Sequence, residues 1–367
     1  MRSFDHLILY LKESKMRIEK LKAKMLTENI DSLLITDMKN IFYLTGFSGT
    51  AGTVFLTQKR NIFMTDSRYS EMARGLIKNF EIIETRDPIS LLTELSASES
   101  VKNMAFEETV DYAFFKRLSK AATKLDLFST SNFVLELRQI KDESEISLIK
   151  KACEIADEAF MSALRFIEPG RTEIEVANFL DFKMRDLEAS GISFETIVAS
   201  GKRSSLPHGV ATSKMIQFGD PVTIDFGCYY EHYASDMTRT IFVGSVDDKM
   251  RTIYETVRKA NEALIKQVKA GMTYAQYDNI PREVIEKADF GQYFTHGIGH
   301  GLGLDVHEIP YFNQSMTENQ LRSGMVITDE PGIYLPEFGG VRIEDDLLVT
   351  ENGCEVLTKA PKELIVI

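Results

Sequence analysis

Apolar side chains recur at helical spacing over residues 16–29, at Ile18, Leu21 and Met25, and the apolar run that follows at 30–35 reads as a strand. Two more strand-like runs, Thr53–Thr57 and Asn61–Thr65, are separated only by Gln58-Lys59-Arg60, which predicts a hairpin. Helical and extended patterns keep alternating to about Ser131, so the first part of the chain reads as a compact α/β domain. No internal repeat or low-complexity segment interrupts it. The pattern changes at 134–143. Asp142 precedes Glu145 by three residues, a capping-box spacing, and the helix it opens carries Ile146, Ile149, Cys153, Ala156 and Phe160 on its apolar face. Pro169-Gly170 closes that helix, and Thr172 with Glu175 opens the next. No later linker signal appears, so the expected organisation is one domain over 1–137 and one large α/β unit over 138–367.

Composition bounds the function. The 367 residues hold 43 Lys+Arg against 55 Asp+Glu, a net charge of −12, at 44% hydrophobic. That is the composition of a globular protein with cores in two domains. The acidic balance argues against nucleic-acid binding, which needs clustered cations to displace counterions. The acidic surplus lies wholly in the second part of the chain, where a solvated surface and carboxylates gathered round a cation both remain open readings. Cys153, Cys228 and Cys354 are odd in number, widely spaced and free of any CxxC pair, which excludes a disulfide framework or thiolate zinc site. The short apolar run at 6–11 lies between Asp5 and Lys12 and does not read as a signal peptide. No stretch approaches the roughly 18 apolar residues of a membrane span. The expectation is a reduced, cytoplasmic protein with no membrane partner.

The chemistry concentrates after residue 200. In Pro221–Gly227, Val222, Ile224 and Phe226 alternate onto an apolar face, leaving Thr223 and Asp225 on the other. A Gly-Cys-Tyr-Tyr turn region is expected next, then a strand over Ser235–Val243 with Asp236, Thr238 and Thr240 on one face. Antiparallel pairing of the two would join Asp225 to Asp236, although a solvated hairpin face would show the same pattern. His296, His300 and His307 follow in a glycine-rich segment that cannot hold a helix. It lacks the glycine spacing of a dinucleotide site and the HExxH spacing of a zinc helix. Val326–Glu330 runs into Pro331-Gly332, and a strand is expected over Val341–Val349 with Arg342, Glu344 and Asp346 on one face. Asp225, Asp236, Glu330 and Glu344 plus an imidazole make an oxygen-rich set suited to two divalent ions.

These segments resemble a known family. Asp225 and Asp236, GIGH at 297–300, VHE at 306–308, EPGIY at 330–334 and VRIEDD at 341–346 are similar to the pita-bread metallopeptidases, specifically aminopeptidase P and prolidase. Residues 40–49 (NIFYLTGFSG) and 65–69 (TDSRY) resemble the family's N-terminal domain, and RQIKDE at 138–143 the start of its catalytic domain. The resemblance implies an α/β (α+β) fold: an N-terminal creatinase/prolidase-like domain followed by a pita-bread catalytic domain. It implies that Asp225 chelates one divalent ion, that Asp236 and Glu344 bridge two, and that His300 and Glu330 bind the second. Manganese is the family's usual metal, with cobalt or zinc able to substitute. A metal-bridging hydroxide would attack the carbonyl before proline, with Glu330 moving the proton. His208 and His307 correspond to histidines that steady the tetrahedral intermediate, and His296, Tyr334 and Arg342 to residues around the proline pocket. Thr238 would hydrogen-bond a ligand carboxylate. His232 reads as a surface residue. The implied partners are proline-containing peptides and a second copy of the chain, in a homodimer.

Larger aminopeptidases P can wall the proline pocket with a tryptophan, and this chain has none; Phe47 and Tyr69 are the N-domain aromatics that could replace it. Whether Xaa-Pro dipeptides or longer Xaa-Pro peptides are taken is open at this level. Two other readings stand beside this one. A methionine aminopeptidase shares the His300–His307 spacing, but the N-terminal domain and the EPGIY and VRIEDD segments stand against it. A noncatalytic module or metal-free amidinohydrolase on the same fold would lose metal ligands, and all five are present.

Overall fold

The computed structural model describes residues 4–367, with side chains described from residue 13, so His6 and the apolar run at 6–11 lie outside the described side chains. The chain divides into two compact units, Met1–Arg138 and Gln139–Ile367. Among the described residues, no helix is long and apolar enough to cross a membrane.

The first unit is a mixed six-stranded sheet flanked by helices. Ser32–Ile35 pairs antiparallel with Thr53–Thr57 and parallel with Asn103–Glu107. The hairpin forms as the pattern requires, with Thr53 opposite Met64 and Leu56 opposite Asn61. The helix predicted over 16–29 extends over Phe4–Thr27, and Ile18, Leu21 and Met25 are the positions it buries. Arg138 is tied into this unit by Asn40, whose amide also donates to the buried Glu107. Phe47 is fully buried against Phe63 and Tyr69. Its ring is core and is not available to wall a pocket.

In the second unit, Glu143–Ala163 carries the capping box, with Asp142 accepting from Glu145 N and Glu145 accepting from Asp142 N. Ile149, Cys153, Ala156 and Phe160 are fully enclosed. A buried side chain the size of Ile or Phe contributes roughly 1.5–3 kcal/mol, so this stripe fixes the helix against the sheet. Together with Glu173–Asp186 it covers one apolar layer, which takes Val222, Ile224 and Met237 from the strands. Helices Asp248–Ile265 and Tyr274–Lys287 cover a second layer, which takes Ile327, Ile333, Ile343 and Leu347. Strands that give their apolar faces to these layers turn their polar faces toward each other. Every residue of Pro221–Phe226 and Met237–Phe242 is buried, so the paired strands carry no solvated face.

Two local expectations need correction. The expected turn at 227–230 is instead a strand, Cys228–Tyr230, and the reversal comes at Glu231-His232, both with positive φ (46° and 77°). Gly227 serves close approach, since a Cβ there would lie 1.9 Å from Ser235 O. Glu-His is an unusual pair for a two-residue hairpin turn, so the sequence carries no Asn-Gly-type signal for it. The single strand expected over 341–349 is two. Gly339–Arg342 pairs with Gly332–Leu335, while Asp345–Val349 joins the five-stranded sheet beside Val326–Asp329. Between them the Glu344 N–H is drawn to Thr238 O at 3.0 Å, which breaks the ladder and sets Glu344 at the crossing.

Candidate metal centre

Asp225 stands near the end of its strand, directly opposite Thr238, and Asp236 immediately precedes the partner strand, Met237–Phe242. His300 sits on the short strand His300–Gly301, where Gly299 lets the backbone run against Thr328; a Cβ at Gly299 would meet Thr328 O at 2.1 Å. The His300 N–H is then received by Thr328 Oγ1 at 3.1 Å. Glu330 follows Val326–Asp329 and Glu344 lies at the sheet crossing. Ligand atoms converge in three overlapping groups: Asp225, Asp236 and Glu344; His300, Glu330 and Glu344; and Asp236, His300 and His307. Within each group they lie within 4.8 Å of one another. His300 Nε2 is 3.7 Å from Asp236 Oδ2 and 3.6 Å from Glu330 Oε1.

These groups fit divalent cations. Asp225 Oδ1 and Asp236 Oδ1 are buried with no hydrogen-bond partner, a costly state for carboxylate oxygens unless a cation meets them. Burial, then the charges of Glu344 and Asp225, push Asp236 well above the usual carboxylate range. Burial, then Glu330 and Asp225, do the same to Glu344. Glu330 is pushed up to about 7, by burial first, against the opposing charge of Arg342. Carboxylates crowded this way favour protons or metal, and the oxygen-rich donor set with one imidazole suits hard or borderline ions. His300 Nδ1 lies 3.2 Å from Gly301 O, an acceptor, so Nδ1 carries the hydrogen and Nε2 presents its lone pair to Asp236 and Glu330. Burial holds this imidazole down at about 3, so it is neutral and able to ligate.

A second layer of side chains fixes the first. Thr238 Oγ1 donates to Glu344 Oε2 at 2.6 Å, as expected of it. Arg342 donates to Asp225 Oδ2, Tyr334 Oη and Thr238 Oγ1. His296 Nδ1 is 2.8 Å from Gly297 O and must donate there, so its Nε2 accepts from the Tyr334 hydroxyl, also at 2.8 Å. Burial keeps His296 near 4 and therefore neutral. A cleft of about 560 Å³ is lined by the five candidate ligands together with His208, His296, His307 and Arg342. Tyr334 is brought to the same network but lies behind His296 and Arg342, outside the lining, so it acts through those two residues. His307 lies closer to the ligands than its expected role required, its ring 4.2 Å from that of His300. His232 is exposed, as read from its flanking residues.

Several supporting residues escaped the sequence reading. Asp346 Oδ2 accepts from Asp236 N at 3.0 Å and from the Cys153 thiol. Buried Asp345 pairs with Arg239 at 2.8 Å, and buried Glu308 with Lys141 at 2.8 Å. The acidic pair after Glu344 was visible as part of VRIEDD; nothing local in the sequence marks Arg239 as the partner of Asp345, or Lys141 as the partner of Glu308.

Comparison with known proteins agrees with this geometry. Residues 147–351 match metallopeptidase family M24, and residues 17–140 match the creatinase/prolidase N-terminal domain. A Xaa-Pro dipeptidase of Pyrococcus horikoshii is 41% identical over 95% of this chain and 98% of its own length. The solved Xaa-Pro dipeptidase from Bacillus anthracis is 43% identical, with a TM-score of 0.94 over 96% of this chain and all of the other. The X-Pro aminopeptidase from Thermotoga maritima is 37% identical, with a TM-score of 0.87 over 95% of this chain and 99% of its own.

Proposed function

The chain belongs to metallopeptidase family M24, with a creatinase/prolidase N-terminal domain ahead of a pita-bread catalytic domain, and from that premise we propose that it hydrolyses the bond between an N-terminal residue and a following proline. The observation that carries this reading is the convergence of Asp225, Asp236, His300, Glu330 and Glu344 at the base of a cleft also lined by His208, His296 and His307. Relatives named as Xaa-Pro dipeptidases and as an X-Pro aminopeptidase support the proline preference, and the proposal covers both substrate lengths.

Asp225, Asp236 and Glu344, with His300 and Glu330, would hold two divalent ions. When bound, such ions supply Lewis-acid polarisation of the scissile carbonyl and a strong nucleophile at neutral pH. The remaining work falls to the chain's own groups. Glu330 accepts a proton from the attacking water and returns it to the proline nitrogen as the C–N bond breaks, so that hydroxyl ends on carbon and hydrogen on nitrogen. His208 and His307 donate to the oxygen on which negative charge develops. His296 and Arg342 shape the side of the cleft that takes proline, and Tyr334 holds both in place. A proline imide has no N–H, so a peptidase that requires that donor fails on this bond, whereas nothing in this arrangement needs it. Manganese as the resident metal, a homodimer, a cytoplasmic location and a domain boundary at residue 138 are parts of the same proposal.

The test is metal dependence. Dialysis against a chelator should abolish cleavage of Ala-Pro and Ala-Pro-Ala, and Mn²⁺ should restore it better than Zn²⁺. Full cleavage by protein shown by elemental analysis to hold no metal would overturn the reading.

A further inference from the structure

Among the described residues neither the His208 nor the His307 ring makes a hydrogen bond, but His307 packs against the His300 ring, whereas His208 has no such brace and its position is set by its backbone. That backbone is the tip of the segment from Ser200 to Thr212, between the strand Ile197–Ser200 and the bridge of Val210 to Ile197. Both ends of the segment are fastened to a single carboxylate outside the cleft. Glu173 Oε1 accepts from Ser200 N and Ser200 Oγ, each at 2.8 Å. Glu173 Oε2 accepts from Thr212 N at 3.0 Å, Thr212 Oγ1 at 2.7 Å and Arg203 Nη1. The same guanidinium donates through Nη2 to Val210 O at 2.8 Å, two residues past His208. Glu173 is completely buried and begins the helix Glu173–Asp186, where the helix dipole favours a negative charge.

We infer that Glu173 is a positioning residue for His208: its carboxylate, with Arg203, closes the 200–212 segment and so fixes where the His208 imidazole enters the cleft. The inference rests on the catalytic reading of His208 given above. Charge-assisted bonds to one buried carboxylate are about twice as strong as neutral ones, and five of them meet here. An amide in its place presents two donors where every neighbour is also a donor, so Glu173→Gln is nearly isosteric yet must open part of the clamp.

The experiment is a double-mutant cycle on the Mn²⁺-loaded full chain with Ala-Pro-Ala. His208→Ala alone should lower kcat by about 10²-fold. Glu173→Gln should lower kcat by about 10-fold or more with little change in KM or bound metal, the effect of a displaced catalytic group. Added to His208→Ala, it should cost less than about 2-fold, because coupled residues are non-additive. Equal loss in both backgrounds overturns the inference alone. No loss from His208→Ala overturns it together with the reading of His208. If Glu173→Gln does not fold, Arg203→Met, which removes one strut at a partly exposed site, should show the same pattern, and its additivity with His208→Ala would overturn the inference equally. If no Xaa-Pro peptide is cleaved, the functional reading fails separately. The His208 ring resonance then remains the test: a shift in Glu173→Gln supports the clamp, and an unmoved resonance contradicts it.

Discussion

Arg342 donates to Asp225 Oδ2 at 2.6 Å, while Asp225 Oδ1 is buried with no hydrogen-bond partner. One oxygen is occupied by the guanidinium and the other is left to ligate, so the arginine sets the orientation of a candidate ligand. It holds Tyr334 and Thr238 with the same planar group, and a lysine cannot reproduce that fork. Arg342→Lys should therefore weaken Mn²⁺ binding by about 10–100-fold, the usual cost of disturbing a ligand's support. Calorimetric titration of metal-free protein measures this directly; unchanged affinity would remove Arg342 from the centre.

The crowding of carboxylates predicts a proton signature. In the metal-free protein Asp236 and Glu344 are held well above the usual carboxylate range and Glu330 sits at about 7. Glu330 carries a proton below about pH 7, and Asp236 and Glu344 keep theirs to higher pH than ordinary carboxylates do, so a cation must displace these protons. Adding Mn²⁺ at pH 6 should release at least the Glu330 proton, about one per chain, with that release falling away as the pH rises past about 7, and apparent affinity should climb with pH. A pH-stat titration reads the release. Metal binding with no proton release at pH 6 would contradict the assigned ligands.

Asp345 makes the opposite case. Burial raises it, but the charges of Arg239 and Lys362 outweigh that and hold it at about 2, below its ordinary 3.8. A depressed carboxylate stabilises the fold fully above the unfolded value and loses that contribution as pH falls through the folded one. Asp345→Asn should cost about 3–5 kcal/mol at pH 7, because it leaves the buried Arg239 uncompensated. The difference from the parent protein should narrow between pH 4 and pH 2. Scanning calorimetry across that range checks both the size and the direction.

Gly299 tests the backbone route to the site. An alanine Cβ at this position would overlap Thr328 O, so the strand must move, and with it the His300 N–H held by Thr328 Oγ1. Gly299→Ala should lower kcat/KM by about 10²-fold, the scale expected for a displacement of about 1 Å. Activity within a few-fold of the parent would show that the close approach is not needed.

The legible part of this protein was whatever short-range pattern encodes. The hairpin at 53–65, the capping boxes at Asp142 and Thr172, and the alternation that separates Asp225 from Val222, Ile224 and Phe226 all follow from neighbours within a few residues. The candidate ligands were legible because each stands in a segment of unusual local composition. What was not legible depends on partners far apart in the chain. The break at Ile343-Glu344 exists because Thr238, 106 residues earlier, captures the Glu344 side chain and backbone. The reversal at Glu231-His232 is imposed by the pairing of Tyr229 with Ala234, against local turn preference. Nothing in the local sequence marks Glu173 beyond its place in the first turn of a helix. Only the fold brings Ser200, Arg203 and Thr212 to it.

The central claim is most directly tested by which peptides the Mn²⁺-loaded protein cuts. Ala-Pro, Ala-Pro-Ala, Ala-Ala-Ala and Met-Ala-Ser should be incubated side by side and the released amino acids quantified. The account predicts release of alanine from at least one of the two proline peptides, with Ala-Ala-Ala and Met-Ala-Ser left intact. Cleavage of Ala-Ala-Ala or Met-Ala-Ser, with neither proline peptide touched, would contradict it.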